Sequence, residues 1–363
     1  MKKDFTRLIV SIFCSFLGLT LLMMISCGGG DGSGSGSGST TFAQSDLQGT
    51  WIFHFLDAGP YSYWKCGTAT LDSSGNLTGL SELDNTGSTT VPPPNSIQLT
   101  ISTSGVISES GTNSDIDTHM TMTANKNFIA GTSSGYPPNP NYAFKILQKV
   151  VLGTVYSNAD LQSKSFVFYQ LHADGEWIYG TGTTNASRVL NISSETTPSG
   201  TSTPGNTGTL AVDGNGNVTL SGDTNFHGFL STDKKTIVVT DTTDTSSLVL
   251  MIIQITNGQS SSTSQAAGKW YAHTFATGAS PAPFWTHQTL DVTSGGVITY
   301  SDWVCSNPAV TGPTGTKTIS IDSTGTATIA DSDFHGQLSY DGKFMVGIWT
   351  TQEGAYALTV FTR

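Results

Sequence analysis

The stretch "DSDFHGQLSYDGK", residues 331–343, lies near the end of the chain and has two earlier counterparts. The nearer is "DTNFHGFLSTDKK" at residues 223–235, and the more distant is "DIDTHMTMTANK" at residues 115–126. Each contains one histidine, and these histidines follow one another at intervals of 108 residues: His119, His227 and His335. A fixed period of this length indicates that one structural unit occurs three times.

Other segments repeat with the same order in each unit. The units open with "SDLQGTWIFHFL" (residues 45–56), "ADLQSKSFVFYQL" (residues 159–171) and "AAGKWYAHTF" (residues 266–275). A tryptophan follows each opening within about a dozen residues: Trp64, Trp177 and Trp285. The units close with "YAFKILQK", "SLVLMIIQIT" and "YALTVFTR". We therefore divide the folded part of the chain into β repeat 1 at residues 42–150, β repeat 2 at residues 151–258 and β repeat 3 at residues 259–363.

The pattern inside each unit predicts an all-β fold. Apolar residues alternate with Thr, Ser or Gln, as in Leu99 and Ile101, which is typical of strands. Charged residues make up only 11% of the chain, and no stretch has convincing helical periodicity. Each unit contains eight predicted strands, and short turns alternate with long loops rich in Pro, Gly and Ser. This regularity predicts three tandem eight-stranded antiparallel meander units, each folded as a barrel with its long loops at one end.

Two architectures, three barrels or one propeller, fit the same repeats. The segment "LQGTW", residues 47–51, resembles the GxW element that opens lipocalin-type β-barrels, and this resemblance implies a barrel that is closed at that end. The alternative is a single six-bladed β-propeller in which each unit supplies two four-stranded blades. Serine-rich stretches such as "NGQSSSTSQAAG", residues 257–268, separate the copies and favour three barrels.

The N-terminus predicts export and a lipid anchor. Residues 1–26 carry basic residues followed by a long apolar run, which is typical of a signal peptide. The following Cys27 and glycines resemble the bacterial lipobox, which implies lipid attachment at Cys27 and, because Gly28 stands where Asp would retain the protein in the inner membrane, an outer-membrane location. A simple transmembrane anchor is the alternative. Residues 27–41 are a Gly/Ser tether that cannot form a packed core.

Composition argues against several functions. The net charge of −11 leaves no basic patch for nucleic acid. Cys66 and Cys305 lie in the first and last units without any metal or haem motif, and we expect two independent buried thiols, with a disulfide that ties the first unit to the third as the alternative. No catalytic set, metal motif or cofactor fingerprint is present, so the sequence favours a non-catalytic, outer-membrane-anchored lipoprotein whose modules bind a glycan, a small molecule or an envelope protein. The alternative is a propeller enzyme or metal-dependent scaffold with its site on the central axis.

The repeated aromatic residues and histidines are the candidate ligand-binding residues. In a barrel, the strand order predicts that they converge at the end with the long loops, where aromatic and polar groups together form small-ligand sites. The same residues also fit a structural role, in which each histidine binds loop backbone and each tryptophan fills the core. The candidates are Trp64, Trp177, Trp285, His119, His227, His335, His54 and His273, with Tyr169 at the position of His54 in unit 2.

Overall fold

The computed structural model describes residues 41–87, 96–112, 114–135, 141–243, 247–278 and 282–363. The predicted signal peptide, Cys27 and nearly all of the tether lie outside the described residues. The described residues form strands, turns and three short 3-10 helices. The all-β prediction is confirmed, and the strands build three sheets, one for each repeat. We call them barrel 1, barrel 2 and barrel 3.

Barrel 1 is an up-and-down meander whose first strand pairs with its last. Its two edge strands meet at a bridge between Asn76 and Gln98, where the Leu77 N–H also donates to the Ile97 carbonyl at 2.9 Å. The strands are β1 (Gly49–Ala58), β2 (Tyr63–Leu71), β3 (Leu77–Asp84), β4 (Gln98–Ile101), β5 (Val106–Ser110), β6 (Ile116–Met122), β7 (Phe128–Ser134) and β8 (Tyr142–Lys149).

Barrel 2 follows the same plan with one additional short strand. The sheet closes through pairing of its first strand with its last and of its second strand with its third. The strands are β9 (Ser165–His172), β10 (Glu176–Thr184), β11 (Val189–Thr197), β12 (Gly200–Ser202), β13 (Gly205–Val212), β14 (Asn217–Leu220), β15 (Asp223–Leu230), β16 (Thr236–Thr243) and β17 (Ser247–Ile255). Strand β12 pairs with β11 outside the ring.

Barrel 3 is a closed ring of eight strands. They are β18 (Gly268–Thr277), β19 (Phe284–Val292), β20 (Val297–Cys305), β21 (Lys317–Ile321), β22 (Thr326–Ile329), β23 (His335–Leu338), β24 (Phe344–Thr350) and β25 (Tyr356–Thr362). Because the first strand of every copy pairs with the last strand of the same copy, each unit closes on itself. The six-bladed propeller is therefore wrong.

A 3-10 helix precedes the first strand of each barrel and covers its closed end. These helices are η1 (Gln44–Leu47), η2 (Asn158–Leu161) and η3 (Thr263–Ala266). The indole Nε1 of Trp51 donates to the Leu47 carbonyl at 2.8 Å, and that of Trp270 donates to the Ala266 carbonyl at 2.7 Å. The opening tryptophans of units 1 and 3 thus plug their barrels, which agrees with the lipocalin-type resemblance. The opposite end, which carries the long loops, is called the mouth.

The outer walls of the three barrels share one apolar core. Strand alternation points Trp51 and Phe53 into barrel 1, and it points Leu56 outward into a cluster that also contains residues of the other two barrels. Barrel 2 contributes Leu250 and barrel 3 contributes Leu358 to the same cluster, and all three leucines are buried. The first and last strands of each barrel are consequently buried on both faces.

Candidate functional site

The repeated tryptophans connect the barrels in a cycle. Each lies on the outer face of the second strand of its barrel and is buried. Each indole Nε1 donates a hydrogen bond to a hydroxyl oxygen of another barrel: Trp64 to Thr242 at 2.8 Å, Trp177 to Thr350 at 3.0 Å and Trp285 to Ser134 at 2.9 Å. Barrel 1 therefore bonds to barrel 2, barrel 2 to barrel 3 and barrel 3 to barrel 1. We call these contacts junctions 1–2, 2–3 and 3–1.

The repeated histidines lie at the same junctions. Each packs its ring against the tryptophan of the neighbouring barrel, with distances between ring centroids of 5.2 Å for Trp64 and His227, 5.7 Å for Trp177 and His335, and 4.9 Å for Trp285 and His119. Burial lowers the pKa of all three histidines. A neutral imidazole is the form suited to such an apolar contact.

His54 and His273 also face outward, into junctions 1–2 and 3–1. Burial lowers the pKa of His54 to about 3, and its Nδ1 lies 3.4 Å from the Thr240 hydroxyl. His273 Nε2 lies 2.7 Å from the Thr121 hydroxyl, and burial holds its pKa well below the ordinary value. His287 completes junction 3–1, with its ring 5.1 Å from His119 and 4.8 Å from His273.

The structure thus brings the eight predicted residues to the junctions between barrels, six of them as three Trp–His pairs, and their expected convergence at the mouths is wrong. The reason is strand alternation: Trp64 and Cys66 of β2 face outward, whereas Tyr63 and Lys65 face the interior. A role of these eight residues in ligand contact stays a prediction. A small cavity of about 180 Å³ does lie at junction 1–2, lined in part by His54, Cys66 and His227.

The mouth of barrel 1 is filled by an ionic network. Lys145 Nζ lies 3.0 Å from Glu109 and 2.8 Å from Asp115, and its side chain is only 7% exposed. The Ser133 hydroxyl donates to Asp115 at 2.7 Å. Burial alone would lower the pKa of Lys145, but the two carboxylates outweigh burial and raise it above the ordinary value.

The mouth of barrel 2 is filled by a chain of hydrogen bonds. Gln170 Nε2 lies 2.7 Å from His172 Nε2, and His172 Nδ1 lies 2.7 Å from the Ser247 hydroxyl. That hydroxyl in turn donates to Asp174 at 3.0 Å. Gln170 and His172 are both buried.

Barrel 3 carries smaller side chains at the corresponding positions. Where the first strand pairs with the last, barrel 1 has Phe55 opposite Lys145 and barrel 2 has Gln170 opposite Met251. Barrel 3 has two threonines there, Thr274 opposite Thr359. Nearer the mouth, barrel 3 has Ala276 where barrels 1 and 2 have larger polar residues. The loss of side-chain volume on adjacent strands leaves the barrel interior open.

A cavity of about 520 Å³ occupies this space. The Thr274 and Thr359 hydroxyls lie 2.8 Å apart in its wall, and the Trp349 indole N–H donates to Thr359 at 3.0 Å. The Oε1 atom of Gln288 is buried in the same wall, and among the residues that the structure describes it has no hydrogen-bond partner. A buried acceptor without a donor is costly unless a ligand or water supplies one. The volume lies within the range of small-molecule sites, about 300–1,000 Å³.

Aromatic rings and loops form the upper part of the cavity. Trp303 and Tyr300 of β20 line it together with Phe284 of β19, and residues 310–314 run over Trp303. The approach is close, because a Cβ atom on Gly312 would lie 2.9 Å from the Trp303 ring. Further loop segments at the mouth contribute the charged residues Asp331, Asp333 and Glu353, and Lys317 lies on β21.

The sequence carries a signal for this cavity in a residue that does not repeat between the units. Trp349 directly follows Ile348, the cross-strand partner of His335, and the residues at the corresponding positions of units 1 and 2 are Ser133 and Asp241. A tryptophan is therefore specific to unit 3 at an inward-facing position. The residues that differ between the copies build the cavity, whereas the residues that recur build the junctions.

Three further features of the described part of the chain concern metal-binding groups, cysteines and membrane-spanning helices. Within it, no group of three or more His, Cys, Asp or Glu side chains is placed to hold a metal ion. Cys66 and Cys305 are both free thiols, as expected. The described ranges also hold no helix with the length and apolar character needed to cross a membrane.

This chain is distantly similar to several solved structures. No family model and no curated protein matches the chain. Among solved structures, transferrin binding protein B from Neisseria meningitidis serogroup B is 10% identical, with 86% of this chain and 75% of that chain covered and a TM-score of 0.25. Transferrin binding protein B from Haemophilus parasuis is 10% identical, with 86% and 74% covered and a TM-score of 0.24. A DUF3598-family protein of unknown function from Nostoc punctiforme is 9% identical, with 89% and 99% covered and a TM-score of 0.20. Scores this low carry no argument about function.

Proposed function

We propose that this chain is a lipid-anchored protein of the cell envelope that binds a small molecule in barrel 3. The observation that supports the binding role is the cavity of about 520 Å³, which combines aromatic rings with a buried Gln288 Oε1 atom that accepts no hydrogen bond from the described part of the chain. Barrels 1 and 2 act as supports, because their mouths are filled by their own side chains. Their outer walls hold barrel 3 in place through the shared core.

The anchor rests on the N-terminal sequence. Lipidation of Cys27 would tether the barrels to the outer membrane through the Gly/Ser segment, since acyl chains contribute about 0.8 kcal/mol per buried CH₂. Radiolabelled palmitate should enter the protein and be absent from a Cys27→Ala variant. Equal labelling of the two proteins would reject the anchor and leave the binding role untouched.

The binding role does not require catalysis. The cavity wall offers threonine hydroxyls, an amide and aromatic rings, which recognise a ligand by hydrogen bonding and stacking. A cavity of this size encloses a small molecule or a terminal sugar rather than a folded protein. We therefore place the ligand inside barrel 3, with the mouth loops as its entrance.

A cavity-filling variant tests this function. Thr274→Phe introduces the residue that barrel 1 carries at the matching position, Phe55, so the strand geometry is known to accept it. The probe is Nile red, a neutral dye whose fluorescence increases in apolar sites. We expect saturable binding of one dye per chain, at least tenfold weaker binding to Thr274→Phe, and unchanged binding to the control Thr299→Phe, which alters an exposed position of β20. Equal binding to all three proteins, or no binding, would overturn the proposal.

A further inference from the structure

We infer that the ligand of barrel 3 is a small organic cation, a protonated amine with an apolar body. This inference rests on the proposed function and specifies the chemical class of the ligand. It depends on three properties of the cavity: the sign of its charge, the balance of hydrogen-bond donors and acceptors, and the aromatic rings.

The charged residues of the cavity favour a positive ligand. Asp331, Asp333 and Glu353 line the mouth, and Lys317 is the basic residue among the lining side chains. Three carboxylates against one ammonium give a local excess of negative charge. The chain as a whole carries a net charge of −11, so the long-range field also attracts cations and repels anions.

Several hydrogen-bonding groups of the cavity are acceptors, which favours a ligand that carries donors. The buried Gln288 Oε1 can only accept, and no described residue donates to it. The Trp349 indole N–H already donates a hydrogen bond to the Thr359 hydroxyl. The Asp333 carboxylate accepts the Thr350 N–H at 3.0 Å. The acceptors available to a ligand therefore include the Gln288 oxygen and the carboxylates at the mouth, and a protonated amine, which carries only donors, can satisfy them.

The aromatic rings fit the remainder of such a ligand. Trp303, Tyr300 and Phe284 line the same cavity as the carboxylates. Aromatic faces attract cations through their quadrupole, and tryptophan is the strongest of the three ring types. The rings also supply apolar surface for the body of the ligand, so a single small inorganic cation would leave most of the cavity unused.

Competition against Nile red tests the ligand class. The competitors are naphthylmethylamine, naphthylmethanol and naphthoate, which share one aromatic body and differ in charge. At neutral pH and low salt we expect the amine to displace the dye from the mature chain at a concentration at least tenfold lower than the alcohol, and naphthoate to be the weakest. Added sodium chloride should weaken the amine and leave the alcohol unchanged.

Charge-removing variants supply the matched control. The double variant Asp331→Asn with Glu353→Gln should bring the amine to within about threefold of the alcohol, while Asp302→Asn, an exposed change on β20 outside the cavity, should leave the tenfold preference intact. Equal displacement by amine and alcohol in the unmodified protein, or tightest displacement by naphthoate, would overturn the cation assignment while Nile red binding still supports the cavity. Failure of Nile red itself to bind would overturn the proposed function.

Discussion

Lys145 is the residue that fills barrel 1, and its replacement by methionine should be costly. The change would leave the buried Glu109 and the half-buried Asp115 without their cation. Removal of one partner from a buried ion pair costs about 3–5 kcal/mol. Chemical denaturation should show a loss of this size for Lys145→Met and a loss of less than about 1 kcal/mol for Lys65→Met, whose ion pair with Glu82 is more exposed. Equal losses would contradict a buried network.

His273 should make stability depend on pH. Burial, with His287 and His119 nearby, holds its folded-state pKa well below the ordinary value. The unfolded chain then binds a proton near pH 6.5 that the folded protein does not, so the contribution of His273 to stability is lost as pH falls through 6.5, with a slope that approaches about 1 kcal/mol per pH unit. Asp57 acts in the opposite direction, because burial raises its pKa to about 7, and it contributes equally to the parent and to the variant.

A His273→Gln variant isolates this contribution. Its unfolding free energy should lose less than that of the parent between pH 6.5 and pH 5, and the two curves should run parallel above pH 7.5. Parallel curves over the whole range would show that His273 titrates normally in the folded protein.

At the scale of single residues, the sequence identified the recurring residues but did not show whether their side chains point into the barrel or outward. Alternation along β2 places Trp64 and Lys65 on opposite faces, but it does not say which face is inside. Both faces of the first and last strands carry apolar residues, so these strands lack the polar face that normally identifies the side exposed to solvent. The placement of the recurring tryptophans and histidines between barrels depends on contacts between units, which no local sequence pattern contains.

The 3-10 helices that cover the closed ends show how an element is held in place. Gln44 of η1 donates to the Leu99 carbonyl at 2.8 Å and accepts the Ile101 N–H at 3.0 Å, beside the point where β3 and β4 meet. Asn158 of η2 accepts the Val212 N–H, and Thr263 of η3 accepts the Ile321 N–H, both at 3.0 Å. The first residue of each 3-10 helix thus accepts a hydrogen bond from the last residue of a strand.

Gln44→Ala should therefore loosen barrel 1 at its closed end. Loss of these bonds leaves partly buried backbone groups unpaired and should cost about 1–3 kcal/mol. Amide hydrogen exchange should become faster in β4 and β5. Gln98→Ala is the control, since its side chain makes an exposed bond of 3.3 Å to the Ser74 carbonyl and should change stability by less than about 0.5 kcal/mol. A silent Gln44→Ala variant would show that η1 is not required for closure.

Elements were largely predictable because turn chemistry and alternation are local. Eight strands per unit agree with barrels 1 and 3, and barrel 2 adds β12 at the outer edge of its ring. The three 3-10 helices were missed, since four residues are too short to show a period.

For the whole molecule, we propose separate roles for the three copies of one unit. A junction needs the same Trp and His in every copy, whereas a cavity needs space in one barrel only. The sequence contained the evidence for the shared core in apolar runs such as "SLVLMIIQIT", residues 247–256, which indicate strands buried on both faces. It could not specify which barrel is hollow, because that depends on side chains of adjacent strands that meet only after closure.

Fluorine NMR of the chain labelled with fluorotryptophan tests this division of roles most directly. The seven tryptophans fall into three groups: Trp51 and Trp270 at the closed ends, Trp64, Trp177 and Trp285 at the junctions, and Trp303 and Trp349 at the cavity. Single Trp→Phe variants assign the resonances. On saturation with naphthylmethylamine, we expect the Trp303 and Trp349 signals to shift, the other five to stay in place, and Thr274→Phe to abolish the shifts. Shifts at Trp64, Trp177 and Trp285 with Trp303 and Trp349 unchanged would contradict this division of roles and place the ligand at the junctions.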